Sequence, residues 1–227
     1  MRDRYTAKIG KLSDEILDMG ELCEQAIMRT SQLLASVDVR EEAIKDINKL
    51  EKEIDEKEHT IEALCMQLLL RQQPVAADLR RISATLKMVT DLERIGDQAT
   101  DIAEIIETGS IHVPVEKIPL SEMAEFSMKM VNSSICAYVK NDLETAGDVI
   151  HSDDVLDGLF LKVRKALDEN AMGYSRDEIL DLLMISKYYE RIGDHAANVG
   201  EWVEFSITGI HRNGEAVRDL FAPAEQN

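Results

Sequence analysis

The sequence predicts an all-α protein, a tandem duplication of an antiparallel three-helix bundle with six long helices. Three observations carry this. Apolar residues recur at spacings of three and four along nearly the whole chain, the period of amphipathic helices. The pentapeptide ERIGD occurs twice, in DLERIGDQATDIAEI (91–105) and in YYERIGDHAANVGEW (188–202). The text around the two copies also matches: Ile95, Ala99, Ile102 and Ile106 correspond to Ile192, Ala196, Val199 and Val203 at one offset of 97 residues.

The periodicity places a first helix over about Tyr5–Ser36 and a second over about Arg40–Arg71. Pro74 stands where a first-turn proline belongs, since it has no N–H to lose there, and opens a third helix that reaches about Thr108. GSIHVPVEKIP (109–119), with two prolines, reads as the linker. A fourth helix covers about Leu120–Lys140, and Asp142 caps a fifth that runs to Asn170. Ser175 and Glu178 form a capping box at the head of a sixth helix, which ends near Ile207. Glu51, Ile54 and Asp55 on the second helix match Asp153, Leu156 and Asp157 on the fifth, here at an offset of 102. The expected units are therefore 1–112, 113–208 and a less regular tail, 209–227. Trp202 and the pair Tyr188–Tyr189 read as core or bundle-contact residues.

The balance of 26 basic against 44 acidic residues, net −18, disfavours nucleic acid and anionic membrane surfaces as partners. It suits solubility, cations or a basic protein surface. No apolar run approaches the ~20 residues that cross a bilayer, and the N-terminus lacks the apolar stretch of a secretion signal. Cys23, Cys65 and Cys136 form no C-x-x-C pair and read as buried thiols of a reducing compartment. A cytoplasmic location is expected.

The candidate chemistry lies in paired acids. Residues four apart share a helix face, with β-carbons ~5–6 Å apart. Glu93 and Asp97 project together, as do Glu190 and Asp194; Asp101 and Asn198 continue the two rows. Matching rows lie on the second helix (Glu51, Asp55) and the fifth (Asp153, Asp157). In a chain with 44 acids the spacing alone says little. Position says more, because the apolar stripe Ile82, Leu86, Val89 steps directly onto Glu93, and Ile179 and Leu183 lead to Glu190 in the same phase. Half-buried carboxylates of like charge need compensation. A metal ion clamped between two helices would supply it, and an oxygen-rich site suits magnesium, calcium, manganese or iron better than zinc. The competing reading is interhelical pairing with Arg80, Arg81, Arg94 and Arg191, although Arg94 and Arg191 point about 100° away from their neighbouring glutamates. Gly96 and Gly193 sit beside the acids, where a missing side chain admits either a neighbouring helix or a ligand.

His59 lies four beyond Asp55 and His195 follows Asp194 directly, so the first could flank the acid face and the second points elsewhere. Glu56-x-x-His59 is half of a ferritin-like di-iron motif without its second half. Nucleophile-elbow, phosphate-loop and dinucleotide signatures are missing.

LLLRQQPVAADLR leading into the first ERIGD segment, the second ERIGD segment, and MGELCEQAI in the first helix together resemble the PhoU family over nearly the whole chain. The resemblance implies two three-helix bundles whose acid motifs hold multinuclear iron or zinc clusters. Here those motifs are Glu93, Asp97, Glu190 and Asp194, supported by Glu51, Asp55, Asp153 and Asp157. Asp101 and Asn198 extend them with unequal charge. It further implies a regulator, not an enzyme. Such a regulator restrains the phosphate-starvation response and phosphate uptake, and it meets the ATPase subunit of a phosphate ABC transporter and a membrane sensor histidine kinase through protein contacts, as a homodimer. A di-metal carboxylate enzyme and a metal-free helical scaffold are the alternatives.

Overall fold

Local chemistry sets the helix ends. In the computed structural model, the described residues are 2–36, 38, 40–72, 75–109, 111, 115 and 118–211. They form α1 (Arg2–Ala35), α2 (Arg40–Gln72), α3 (Ala76–Thr108), α4 (Leu120–Lys140), α5 (Leu143–Glu169) and α6 (Arg176–Thr208). The Asp142 carboxylate accepts from the N–H groups of Glu144 and Thr145, two donors that a helix start leaves bare. Ser175 and Glu178 make the reciprocal capping box. Asn141, Asn170 and Gly209 close α4, α5 and α6 in the left-handed region, which asparagine tolerates and glycine, lacking a Cβ, enters freely. The expected role of Pro74 and most of the expected tail lie outside the described residues. Within the linker, Ile111, Val115 and Ile118 are buried, and the Val115 N–H donates to Leu34 O at 3.3 Å.

Each half packs its three helices together, and the halves join through α3 against α6 and α1 against α4. Buried apolar side chains from all six helices form one large cluster, beside a small separate one of Ala26, Leu50 and Ala99. Two buried tyrosines tie the halves: Tyr138 OH lies 2.7 Å from Thr85 Oγ1, and Tyr189 OH lies 2.7 Å from Thr30 Oγ1. Cys23 and Cys65 are buried as expected, whereas Cys136 is only half-buried, beside Asn132.

The ERIGD glycines are packing notches. A Cβ added to Gly96 would stand 2.9 Å from Ile54 Cδ1, and one added to Gly193 would stand 2.3 Å from Leu156 Cδ2. Ile54 and Leu156 are the repeat-equivalent residues of α2 and α5, so the same aliphatic knob enters the same notch in each half. Of the two readings of these glycines, close packing is the one realised. Gly193→Ala gains helix propensity of ~1 kcal/mol but overpacks a buried leucine, a strain of ~1–3 kcal/mol. We expect a net loss of ~1 kcal/mol by urea unfolding, smaller for Gly96→Ala, with Leu156→Ala relieving part of the Gly193→Ala strain in a double-mutant cycle.

Candidate metal centres

The knob-and-notch contact fixes which carboxylates meet. On α2, Glu51 and Asp55 lie either side of Ile54; on α3, Glu93 and Asp97 lie either side of Gly96. Burial raises the Glu51 carboxyl above its ordinary range, with Asp55 and Asp97 adding to the effect. Burial also raises Glu93; Asp97, Glu58 and Asp55 push the same way and Arg94 opposes them. Glu58 was missing from the predicted set. The signal was available, because it continues the Glu51–Asp55 face at helical spacing and its own carboxyl is raised by burial and then by Glu62. Arg94 corrects a second expectation. Its long side chain wraps back across the helix, with Nη1 3.0 Å from Asp97 Oδ2 and Nε 3.4 Å from Glu93 Oε2. The first centre therefore carries its own cation. Arg191 also stays with the acids: it lines one cleft with Glu51, Asp97 and Asp101, and its charge opposes the rise of the Asp101 and Asp194 carboxyls. The remaining two arginines of the pairing reading are used elsewhere. Arg81 donates to Ser13 and Asn141 and lies over the Tyr138 ring. Arg80 lies along Gly209.

The second centre gathers Asp153 and Asp157 of α5 against Glu190 and Asp194 of α6. The Asp153 carboxyl is pushed up to about 6, by burial first and then by Asp194, Asp157 and Glu190. Its Oδ1 is buried and has no hydrogen-bond partner. Burial also raises Glu190 and Asp194, and Lys187 opposes the shift at both. Lys187, three residues before Glu190 and paired with it, was a second omission.

The two residues predicted to extend the acid rows sit on the α3–α6 seam. Asn198 Nδ2 donates to Asp91 Oδ1 at 3.2 Å, and His195 Nδ1 lies 2.9 Å from the same oxygen. Asn198 thus spends an amide N–H on α3 instead of turning it to the acids of its own row. Asp101 hydrogen-bonds Tyr188 across the seam and is raised by burial and by Asp97, so it serves both places. At the offset of 97, Asp91 matches Tyr188 and Asp101 matches Asn198, so these two contacts are one contact repeated by an approximate twofold. His59 is exposed, and it opposes the rise of the Glu58 carboxyl beside it.

A PhoU domain match covers residues 16–106 and, a second time, residues 120–203. The chain belongs to the PhoU family. The phosphate-specific transport system accessory protein PhoU homolog of Clostridium acetobutylicum is 35% identical over 214 residues, 92% of this chain and 96% of that protein. The homolog from Borreliella burgdorferi is 31% identical over 218 residues, 92% and 97% of the two chains. Among solved structures, PhoU from Pseudomonas aeruginosa superposes with a TM-score of 0.80 at 28% identity, covering 91% of this chain and all (100%) of that one. PhoU from Streptococcus pneumoniae, at 23% identity and a TM-score of 0.81, shares the fold.

Whether a metal fits the family's acid motifs in this chain can be judged from the side chains. Among the described residues, no three His, Cys, Asp or Glu groups converge closely enough to hold an ion as they lie. The donor chemistry does fit: each centre presents carboxylates from two helices, and Asp153 Oδ1 is a buried acceptor with nothing to accept from. Such a group is costly unless a cation or a proton satisfies it.

That cost has a definite pH sign. A carboxyl raised on folding holds its proton longer in the folded chain, so it imposes no penalty below the unfolded value near 4. The penalty grows between about 4 and about 6 and is complete above that. Metal-free protein should therefore lose stability as pH rises through this window. Asp153→Asn should recover roughly 1 kcal/mol at pH 7, after allowance for solvent screening. Melting curves of the two proteins at pH 4.5 and 7 would converge at the lower pH; a parallel displacement at both would show that Asp153 is not the cause.

Proposed function

We propose that this chain is a cytoplasmic, metal-binding adaptor, a homodimer that negatively regulates phosphate uptake and the phosphate-starvation response. It does so by coupling the ATPase subunit of a phosphate ABC transporter to a membrane sensor histidine kinase. The relatives' printed name, accessory protein of the phosphate-specific transport system, supports the regulatory part and a role that is not catalytic. Among the described residues no helix is long and apolar enough to cross a membrane, so contact with membrane partners would run through protein surfaces.

The observation that carries the metal reading is the unpartnered Asp153 Oδ1 inside four mutually repelling carboxylates. Asp153, Asp157, Glu190 and Asp194 would hold one ion or cluster, and Glu51, Asp55, Glu93 and Asp97 another, with Asp101 at its edge. Iron or zinc is the family expectation, while the oxygen-only donors would equally take manganese or magnesium. The bound cation supplies positive charge that lets all the carboxylates ionise together. The residues themselves do the rest: they tie α2 to α3 and α5 to α6 and set the charge of the face that partners meet. One observation favours the metal-free scaffold at the first centre, namely that Arg94 already spans Glu93 and Asp97.

The two centres should therefore be unequal. Titrating manganese or zinc into stripped protein, followed by calorimetry and native mass spectrometry, should show a tight event lost in Asp153→Asn and a weaker one lost in Asp97→Asn. Arg94→Ala should strengthen the weaker event by about tenfold, the equivalent of ~1.4 kcal/mol. The tight event should fade below about pH 6 as Asp153 takes up its proton, and the weaker one should also weaken as pH falls. A stripped protein that binds neither metal would remove the metal reading and leave the scaffold. The regulatory reading has its own test: a deletion strain should express phosphate-starvation genes in phosphate-rich medium, and normal repression there would overturn it.

A further inference from the structure

The duplication lets each half serve as a control for the other, and one face differs in a directed way. Between α5 and α6 runs a groove of about 710 Å³, with Leu161, Leu167, Ile179 and Leu183 as its apolar lining and Arg164, Lys165, Asp168 and Asn170 as its polar lining. Leu161 is 57% exposed, and on α6 Leu180 (54%) and Met184 (46%) carry apolar surface outward from Ile179 and Leu183. Removing such side chains from water needs a covering partner.

At the repeat offsets, the buried positions keep their character: Val163 and Leu167 match Ile61 and Cys65, and Ile185 matches Met88. The exposed positions do not. Leu161, Leu180 and Met184 stand where the first half has His59, Ser83 and Lys87. On α5, Arg164 stands where the first half has Glu62, a reversal of charge, and Lys165 where it has Ala63; on α6 the exchange runs the other way at the helix start, with Asp177 and Glu178 for Arg80 and Arg81, so the basic side chains of the groove come from α5. Asp168, opposite Met66, runs the other way. The buried set suffices to fold the first half, whose own exposed apolar side chains, Met66 and Leu79 among them, stand at other positions, so the exchanges at 161, 164, 165, 180 and 184 serve something outside the fold.

We propose that this groove is a docking site for an amphipathic helix of a partner protein, one that presents apolar side chains at i, i+3/i+4 and i+7 and acids along its flank. The apolar floor takes the helix's apolar stripe, and Arg164 and Lys165 take its acids. The charge argument is sharpened by the rest of the chain. With a net charge of −18, an acidic segment is repelled over most of the surface, so a local basic pair also determines where it lands. The i, i+4 contact of Lys165 with Glu169, at 3.8 Å and exposed, is weak enough to be exchanged.

The inference rests on the adaptor reading and not on the metal. Its test is photo-crosslinking of the full chain in cells, with p-benzoylphenylalanine placed at Leu161 or Met184, and at the matched His59 or Lys87 as internal controls. Melting curves confirm that each labelled protein is folded. Adducts from 161 and 184 should exceed those from 59 and 87 by about tenfold. By mass spectrometry they should map to an acid-bearing amphipathic helix of another polypeptide. Arg164→Glu with Lys165→Glu should cut the yield by about tenfold, since each tenfold is only ~1.4 kcal/mol. Equal yields from the two halves, an adduct with a second copy or with lipid, a target segment without acids, or indifference to the charge reversal would each overturn the proposal. Adducts confined to other faces would remove the groove and leave the adaptor reading standing. Loss of the adaptor reading is read separately, in the deletion strain.

Discussion

An aliphatic side chain seated in a glycine notch decides the geometry of this protein. Ile54 against Gly96 and Leu156 against Gly193 allow no slack along the helix axes, because a shift of one residue would replace the notch with a Cβ. That contact sets the register of α2 on α3 and of α5 on α6. Register in turn decides that carboxylates on both members of each pair come to the same level. The apolar knob and the acids that flank it are thus one unit: packing brings the charges together, and repulsion among them is held in check by the apolar contact they surround.

The two centres built on this plan have diverged in how they offset their charge. In the first, a guanidinium on the same helix spans two carboxylates. In the second, Lys187 reaches Glu190 from the exposed side, and Asp153 is left with a buried, unpartnered oxygen. A carboxylate held at the edge of neutrality near pH 6 is one whose charge state depends on what is bound beside it. Occupancy of the second centre would therefore change the local charge of α5 and α6, the helices that also form the apolar and basic groove.

The helices were legible in the sequence because the apolar period, the Asp142 cap and the Ser175 capping box are local signals. The ERIGD acids were legible because the apolar stripe runs into them. Three features were not. Asn198 was assigned to the acid row by spacing alone, and spacing cannot say which of two neighbouring helices a side chain will face. Arg94 was discounted from the angle between Cα–Cβ vectors, which ignores the reach of a long, flexible side chain. The joining of the halves through α3 and α6 left no local mark, since a surface buried against another bundle has the same period as one buried within its own.

The hydroxyl pairs across the two halves bear on how the chain is made. Tyr138 and Tyr189 both belong to the second half, and each finds its partner, Thr85 or Thr30, on the first. The face of α3 that α6 covers is likewise bare until α6 arrives. α6 follows the other five helices in chain order, so the first three emerge from the ribosome with an apolar side exposed until α6 arrives to cover it. The two bundles of the duplication thus share one large core, and the second half supplies the side chains that close the first.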